Sequence, residues 1–269
     1  MEVAATIKSI KDAMGLKELV SVFIVPVNNY SVNYEKTLPL EEIIEINKIK
    51  PTFIVVNKNI HNSEIEEIKN LLQEIEKHKF AGIIFYDIAI VNLKQKLDLK
   101  TPLVWAQEHL TTNYQTINYW FDKGAEYAYL SSELTKEEMD EIKANTKAKL
   151  FVNVFGYLPM FTSRRHLVNN YLETFNLKTK DKTKIYKEDK YYQISDKENG
   201  TVVYSDYVLN ALDIDFNRYD YIVFNSNLIN EEDFYDTLVK FKTKKNEYKF
   251  PYEHGFLYKE TIYKVKDND

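Results

Sequence analysis

The sequence contains no cysteine, which excludes disulfides, a thiolate nucleophile, thiolate zinc sites and any iron-sulfur cluster ligated by the chain itself. Glycine and proline number only six each, and no Pro-, Gly- or Ser-rich linker, low-complexity segment or repeat beyond the βα unit interrupts the chain. No stretch approaches the ~20 uninterrupted apolar residues of a membrane helix. The start, MEVAATIKSIKDAMGLKEL, carries charge through its body, unlike a signal peptide. These absences describe a cytoplasmic protein without a membrane partner.

Charge of one sign is also lacking. Against 41 acidic residues stand 36 basic ones, for a net charge of -5, so no whole-molecule field draws the protein to nucleic acid and only a local basic patch could do so. Arginine is scarce: Arg164, Arg165 and Arg218 are the only three. The lysine bias suggests an AT-rich genome. An adjacent arginine pair in that background matters because a planar fork binds carboxylate or phosphate bidentately, which lysine cannot do.

What is present is one large apolar complement, 44% of 269 residues, enough for a single core without staples. Short β-branched runs alternate with amphipathic stretches, as in parallel strands covered by helices. The predicted strands are Val22–Val27, Phe53–Asn57, Gly82–Asp87, Leu103–Gln107, Tyr127–Ser131, Leu150–Phe155, Val202–Ser205 and Tyr221–Asn225. Ser63 with Glu66, and Thr135 with Glu138, have the spacing of capping boxes, and Asn230 suits the N-cap of the last helix. His78 falls in a final helical turn, where it meets the helix dipole. The expected fold is a single (β/α)8 TIM-like barrel domain over 1–269, with residues 1–20 as an N-terminal helical lead-in. Residues 176–205 read as an antiparallel β-meander inserted before the seventh strand, with Asn199-Gly200 as a turn. A doubly wound open sheet is the alternative, since strand counting does not show closure.

In such a barrel the loops after the strands build the site, and uncommon polar residues collect there. Asn33 follows the first strand, Asn57, Lys58 and His61 the second, Asp87 ends the third, and Gln107, His109 and Asn113 follow the fourth. Glu133 follows the fifth, and Tyr157, Arg164 and Arg165 follow the sixth. Asp87, Glu133 and His109 are the candidates for proton transfer, and the remaining residues are candidates for substrate binding. Each has a plainer reading: Asn in turns and caps, a strand-end carboxylate capping the next helix, arginines paired with surface acids. Arg164 and Arg165, after a Gly-Tyr-Leu-Pro turn and before a helix start, suit an anion. His61, Glu108, His109 and Asp87 follow no recognised metal spacing, so a divalent metal is disfavoured. The 21 tyrosines serve mainly amphipathic packing, although loop tyrosines can stack on a base.

The segment FVNVFGYLPMFTSRRHLVNNYL (Phe151–Leu172) resembles the stretch that marks peptidase family U32, the collagenase-like family. QEHLTTNY (Gln107–Tyr114), YLSSELTKEEMDEI (Tyr129–Ile142), NGTVVYSDYVLN (Asn199–Asn210) and GFLYKETIYKVK (Gly255–Lys266) resemble other family segments, so the likeness runs from about Val22 onward. In its shortness the chain resembles members from low-GC Gram-positive bacteria and mollicutes. The resemblance implies a barrel. It also implies either a peptidase or a role in hydroxylating tRNA, ribosomal RNA or ubiquinone precursors, oxygen-independent or prephenate-dependent, commonly with a cysteine-held iron-sulfur cluster. Here Pro159, Met160, Phe161, Thr162 and Ser163 stand where longer members carry cysteines, so cluster chemistry does not carry over. No Ser-His-Asp, Cys-His or HExxH arrangement supports peptidase chemistry.

Three functions follow as expectations. The first is a hydrolase-like enzyme binding an anionic small molecule or peptide through Arg164 and Arg165. The second is a cluster-free accessory or enzyme in tRNA or rRNA modification, binding RNA or pairing with a subunit of the same family. The third is a metal-dependent hydrolase. A basic, aromatic-lined face on the structure favours the second.

Overall fold

A computed structural model describes residues 1–107, 109–178, 184–197 and 200–259. Eight parallel strands close on themselves: β1 (Glu2–Thr6), β2 (Val22–Pro26), β3 (Thr52–Val56), β4 (Gly82–Phe85), β5 (Leu103–Trp105), β6 (Tyr127–Tyr129), β7 (Lys149–Ser163) and β11 (Tyr221–Phe224). Closure comes from β11, which pairs in parallel with β1 (Val3 beside Ile222) and with β7 (Val152 beside Ile222). The open-sheet alternative is thereby excluded. Strands such as VFIVP and TFIVV are buried at every position and almost wholly apolar because both of their faces are covered.

Helices cover the outside: α1 (Ile10–Leu16), α2 (Leu40–Ile49), α3 (Ile65–Glu76), α4 (Ala89–Leu97), α5 (Tyr114–Asp122), α6 (Lys136–Asn145) and α8 (Glu231–Lys242). One core lies between them and the sheet, and a second fills the barrel, where Ala4, Ile24, Val55, Ile84, Val104 and Val223 meet. At the N-terminal end of the barrel four rings form a floor. Phe151 stacks on Tyr221 at 4.3 Å between centroids, and Phe53 meets Phe151 edge-on at 5.0 Å and Tyr127 at 5.6 Å. Burial lifts the Tyr221 phenol to about 12, so it stays a neutral part of that floor. Among the described residues this ring layer fills the lower end of the barrel, and the polar cavity described below lies at its C-terminal end.

The structure corrects several sequence expectations. The lead-in at 1–20 is not simply helical: Glu2–Thr6 is the first barrel strand, and α1 follows it. The stretch Val202–Ser205 is not a barrel strand but part of β10 (Gly200–Asn210), which runs antiparallel to β7. The expected meander is present as β8 (Lys184–Lys187), β9 (Lys190–Lys197) and β10, bonded outside the barrel and before β11, hence before the eighth barrel strand. Gly-Tyr-Leu-Pro is not a turn, since β7 continues through it for 15 residues. It does so because β10 supplies its second-half partner, opposite Pro159 at Tyr204, where a register shift tolerates an imino acid. Gly156, at φ +122, stands where β7 leaves the barrel, and a Cβ there would lie 2.3 Å from the Asn225 carbonyl. Only glycine fits such a position. The first capping box is built from His61 and Glu64 rather than Ser63 and Glu66, because a 3-10 turn (Asn62–Glu64) precedes α3. Thr135 with Glu138, and Asn230, cap as expected, while His78 bonds Glu74 one turn back at 3.2 Å.

The floor sets a testable energy. Phe151→Ala removes a fully buried ring that touches four others, and urea unfolding should show a loss of about 3–5 kcal/mol. A loss below about 1 kcal/mol would mean that the barrel collapses readily around the gap.

Candidate functional site

The inward positions just above the apolar layers are polar. The alternation that buries Val55, Ile84 and Val223 in the barrel interior also turns Asn57, Tyr86 and Asn225, two residues further along, toward the mouth. Tyr129 and Asn153 complete the ring from β6 and β7, their side chains joined by a 2.6 Å hydrogen bond from the phenol to the amide oxygen. The Asn153 amide nitrogen in turn donates to Ser132 Oγ at 2.9 Å. Asn225 Oδ1 accepts the Asn227 amide at 2.9 Å, and Thr6 Oγ1 accepts the Ser226 amide at 2.7 Å. Within this ring is a cavity of about 60 Å³, lined further by Asn33, Tyr34, His109, Ser131, Glu133, Met160 and Phe256. Among the described residues no lysine or arginine lines it. A wider cleft of about 360 Å³ opens beside it, sharing Asn57, Tyr86, His109 and Met160 and adding Gln107, Thr162 and Arg164. The cleft is of ligand size.

The loop after β2 forms one wall and is pinned from several sides. Asn57 grips Val32 at both backbone atoms, accepting its amide at 2.8 Å and donating to its carbonyl at 3.2 Å. Asn33 sits in the left-handed region, φ +70, which asparagine tolerates. It donates to Tyr86 at 3.4 Å, accepts from Thr162, and its carbonyl accepts from Asn227 at 2.8 Å. Glu35 anchors the far end of the loop. Burial alone would raise its carboxyl, but the Lys8 ammonium at 2.9 Å and the Leu228 amide at 3.0 Å hold it below the ordinary range.

At the rim His109 Nδ1 lies 3.2 Å from Glu133 Oε1, both side chains about half exposed. The contact brings the imidazole and the carboxylate together at the rim of the opening. Arg164 reaches into the cleft with its guanidinium bonded to the Asn59 carbonyl at 3.1 Å and 3.6 Å from Glu64. Glu64 also takes the Lys58 ammonium at 2.6 Å and the His61 amide at 2.8 Å. The Lys58 hydrogen bond, with help from His61 and Arg164, holds the Glu64 carboxyl down at about 2.

The structure therefore gathers Asn33, Asn57, Gln107, His109, Glu133 and Arg164 around one opening. Other candidates lie elsewhere. Both Asp87 oxygens are occupied, by the amides of Ile60 at 2.8 Å and Ala89 at 2.9 Å, so this carboxylate ties a loop and starts α4. Asn113 caps α5, accepting the Thr116 amide at 2.8 Å. His61 serves its capping box and Lys58 its ion pair. Tyr157 is half-buried against the outer core, which raises its phenol. Arg165 is exposed and lines neither cavity nor cleft. The helix start beyond the arginines, α7 (Leu167–Thr174), has its anion already: Asp196 accepts the amides of Val168 at 2.9 Å and Asn169 at 3.0 Å and contacts His166 at 2.7 Å. Burial pushes that carboxyl up, yet the two amides and the imidazole prevail and hold it low.

Glu108 lies outside the described residues. Among the described residues no three His, Asp or Glu side chains converge as metal ligands. An iron-sulfur cluster does not fit, because the chain has no thiolate and the stretch Pro159–Ser163 is occupied in pairing with β10. The residues that sequence reading passed over are Tyr86, Tyr129, Asn153 and Asn225. All four belong to runs that look like ordinary strand, and the one signal was a polar side chain at inward parity near a strand end.

The Glu64 cluster gives a pH test. A carboxyl held near 2 when folded and near 4.3 when unfolded stabilises above the unfolded value and loses that contribution as pH falls toward 2. Glu64→Gln should cost about 1 kcal/mol at pH 6 in thermal or urea unfolding, and the two proteins should converge near pH 2–3. Equal stability at pH 6 would show the cluster to be energetically idle.

Known proteins agree with this architecture. The model of peptidase family U32 matches residues 27–223. The tRNA hydroxylation protein P2 of Bacillus subtilis (strain 168) is 31% identical over 163 residues, 57% of this chain and 52% of that protein. The tRNA hydroxylation protein P of Escherichia coli (strain K12) is 26% identical over 125 residues, 46% of this chain and 27% of that protein. The matches thus take in about half of the first relative and about a quarter of the second. Among solved structures, the U32 peptidase Mk0906 superposes with a TM-score of 0.56 at 11% identity, covering 84% of this chain and 92% of that one. Phosphoribosylanthranilate isomerase from Thermotoga maritima does so at 0.50 and 9% identity, covering 91% of this chain and 99% of that one; at such identities the likeness is one of fold. With its family model matched over most of its length, the chain belongs to peptidase family U32.

Proposed function

We propose that this protein works in tRNA modification, as a cysteine-free U32 barrel whose mouth holds a nucleotide of the RNA. The observation that carries the reading is the 31% identity over 163 residues to a protein named for tRNA hydroxylation. The site is compatible with it in chemical terms. The cavity is lined by the uncharged amides and hydroxyls of Asn33, Asn57, Asn153, Asn225 and Ser131, held in place by hydrogen bonds within the protein, with the rings of Tyr34, Tyr86 and Tyr129. Asparagine amides match the donor and acceptor edges of bases, and tyrosine rings suit their faces. Arg164 in the adjoining cleft suits the phosphate, as a planar donor on an anion. His109 and Glu133 stand at the rim for proton exchange.

A hydrolytic reading has less support. Ser132 Oγ is engaged by Asn153 and Ser131 Oγ by the Glu133 amide, neither by an imidazole. Because the chain has no thiolate, any cluster-based oxidative step would belong to a partner, and this chain's share is to bind and orient the RNA. A second subunit of the same family is the form of partnership that this division favours.

Nucleoside mass spectrometry of tRNA tests the proposal, comparing cells that carry the protein with cells that lack it. Loss of a hydroxylated nucleoside is expected on deletion. Restoration with the native protein should be at least tenfold better than with Asn153→Ala, which unties Tyr129 and Ser132 at the mouth. Identical nucleoside profiles with and without the protein would refute the proposal.

A further inference from the structure

Charge is not spread evenly along the chain. Between Arg164 and Lys197 nine basic residues face five acidic ones, whereas the rest of the sequence carries 27 basic against 36 acidic. A protein of net charge -5 thus concentrates its positive charge in the excursion that leaves the barrel along β7 and returns along β10. At the tip of that excursion β8 and β9 form a hairpin closed by Glu188 and Asp189, both in the left-handed conformation of a two-residue turn.

The two faces of the hairpin differ. Ile185 and Ile194 line an apolar groove that they share with Leu167, Val168 and Leu172 of α7. On the opposite face Tyr186 and Tyr191 are direct cross-strand partners, with ring centroids 4.8 Å apart and each ring more than half exposed. Asp189 accepts a 2.6 Å hydrogen bond from the Tyr186 phenol and so orients that ring. Lys184 and Gln193 are the next pair by strand alternation; Lys184 also borders the groove against α7 and makes no ion pair among the described residues. Strand alternation carries this face along β9 to Ser195 and Lys197. There it meets the loop Ser31–Glu35 in a small cleft, with Lys197 bonded to the Glu35 carbonyl. Asn33 and Tyr34 line both that cleft and the barrel mouth.

We infer that this face of the hairpin, from Tyr186 and Tyr191 through Lys184 to Lys197, is a docking track for a single-stranded segment of RNA that leads to the barrel mouth. Exposed rings interleaved with lysines are the combination that binds unpaired nucleotides, the rings by stacking on bases and the lysines by meeting phosphates. The seven residues of strand from Tyr191 to Lys197 span ~20 Å, a reach suited to several nucleotides of a loop. The inference rests on the reading that the mouth serves tRNA.

Fluorescence anisotropy with the full chain and an unmodified, in vitro transcribed tRNA tests it. Tyr186→Ala with Tyr191→Ala should weaken binding about tenfold or more, while Tyr186→Phe with Tyr191→Phe, which keeps the stacking faces, should stay within about twofold of the native protein. Lys184→Ala should lower the slope of log affinity against log salt by about one. Because the rings are exposed, an unchanged Tm will show that the alanine pair still folds. Native affinity in the alanine pair would overturn the inference. So would loss of self-association in light scattering with RNA affinity intact, which would make the hairpin a protein interface. If the alanine pair binds tRNA normally while deletion still changes the nucleoside profile, the hairpin inference falls and the function stands; an unchanged profile on deletion removes the function itself.

Discussion

Closure of the sheet through β11 is the constraint on which the rest of the molecule depends. One short strand, Tyr221–Phe224, satisfies β1 on one side and β7 on the other. Once it does, every barrel strand must point its C-terminal end to the same rim. That single requirement brings Asn57, Tyr86, Tyr129, Asn153 and Asn225, from five different strands, into one ring. The same closure forces the aromatic floor, because large side chains at the strand starts have only the barrel interior to fill. Phe151 and Tyr221 stack there, and the floor leaves the C-terminal opening as the place where polar groups can meet a ligand.

Strand β7 carries a second constraint. Its first half belongs to the barrel and its second half to an antiparallel leaf with β10, and the change of allegiance occurs at Gly156, where a side chain would collide with Asn225. The bend places Met160 and Thr162 over the mouth and Arg164 in the cleft. It also projects the hairpin outward, so the lining of the site and the basic excursion share one structural cause. The positions at which longer family members are expected to hold cysteines fall on this strand, and here they are spent on pairing and on lining the cleft.

The barrel was legible because parallel strands buried on both faces make unbroken apolar runs, as in Phe23–Val25 and Phe53–Val56. The strand Glu2–Thr6 was not, since EVAAT is short and begins with a charge, and nothing local tells such a piece that it will be sandwiched between β11 and β2. Val202–Ser205 misled for the complementary reason: a β-branched run signals a strand and says nothing of whether its neighbour is parallel. The residues around the candidate opening were legible where loops carried them, at Asn33, His109, Glu133 and Arg164. They were hidden where strand ends carried them, because Tyr129 and Asn153 look like packing residues until the pleat assigns them a side. Asp87 and Asn113 show the converse: a polar residue after a strand often does nothing more than satisfy backbone amides.

The most direct test of the account is ultraviolet cross-linking of the full chain to tRNA, with the attached peptides mapped by mass spectrometry. The account predicts attachment at the mouth, on peptides containing Tyr86, Tyr129 or Met160, together with the hairpin rings. Attachment confined to the outer helices α2 to α5, or none at all under conditions where the protein binds tRNA, would contradict the assignment of the barrel mouth as the nucleotide site.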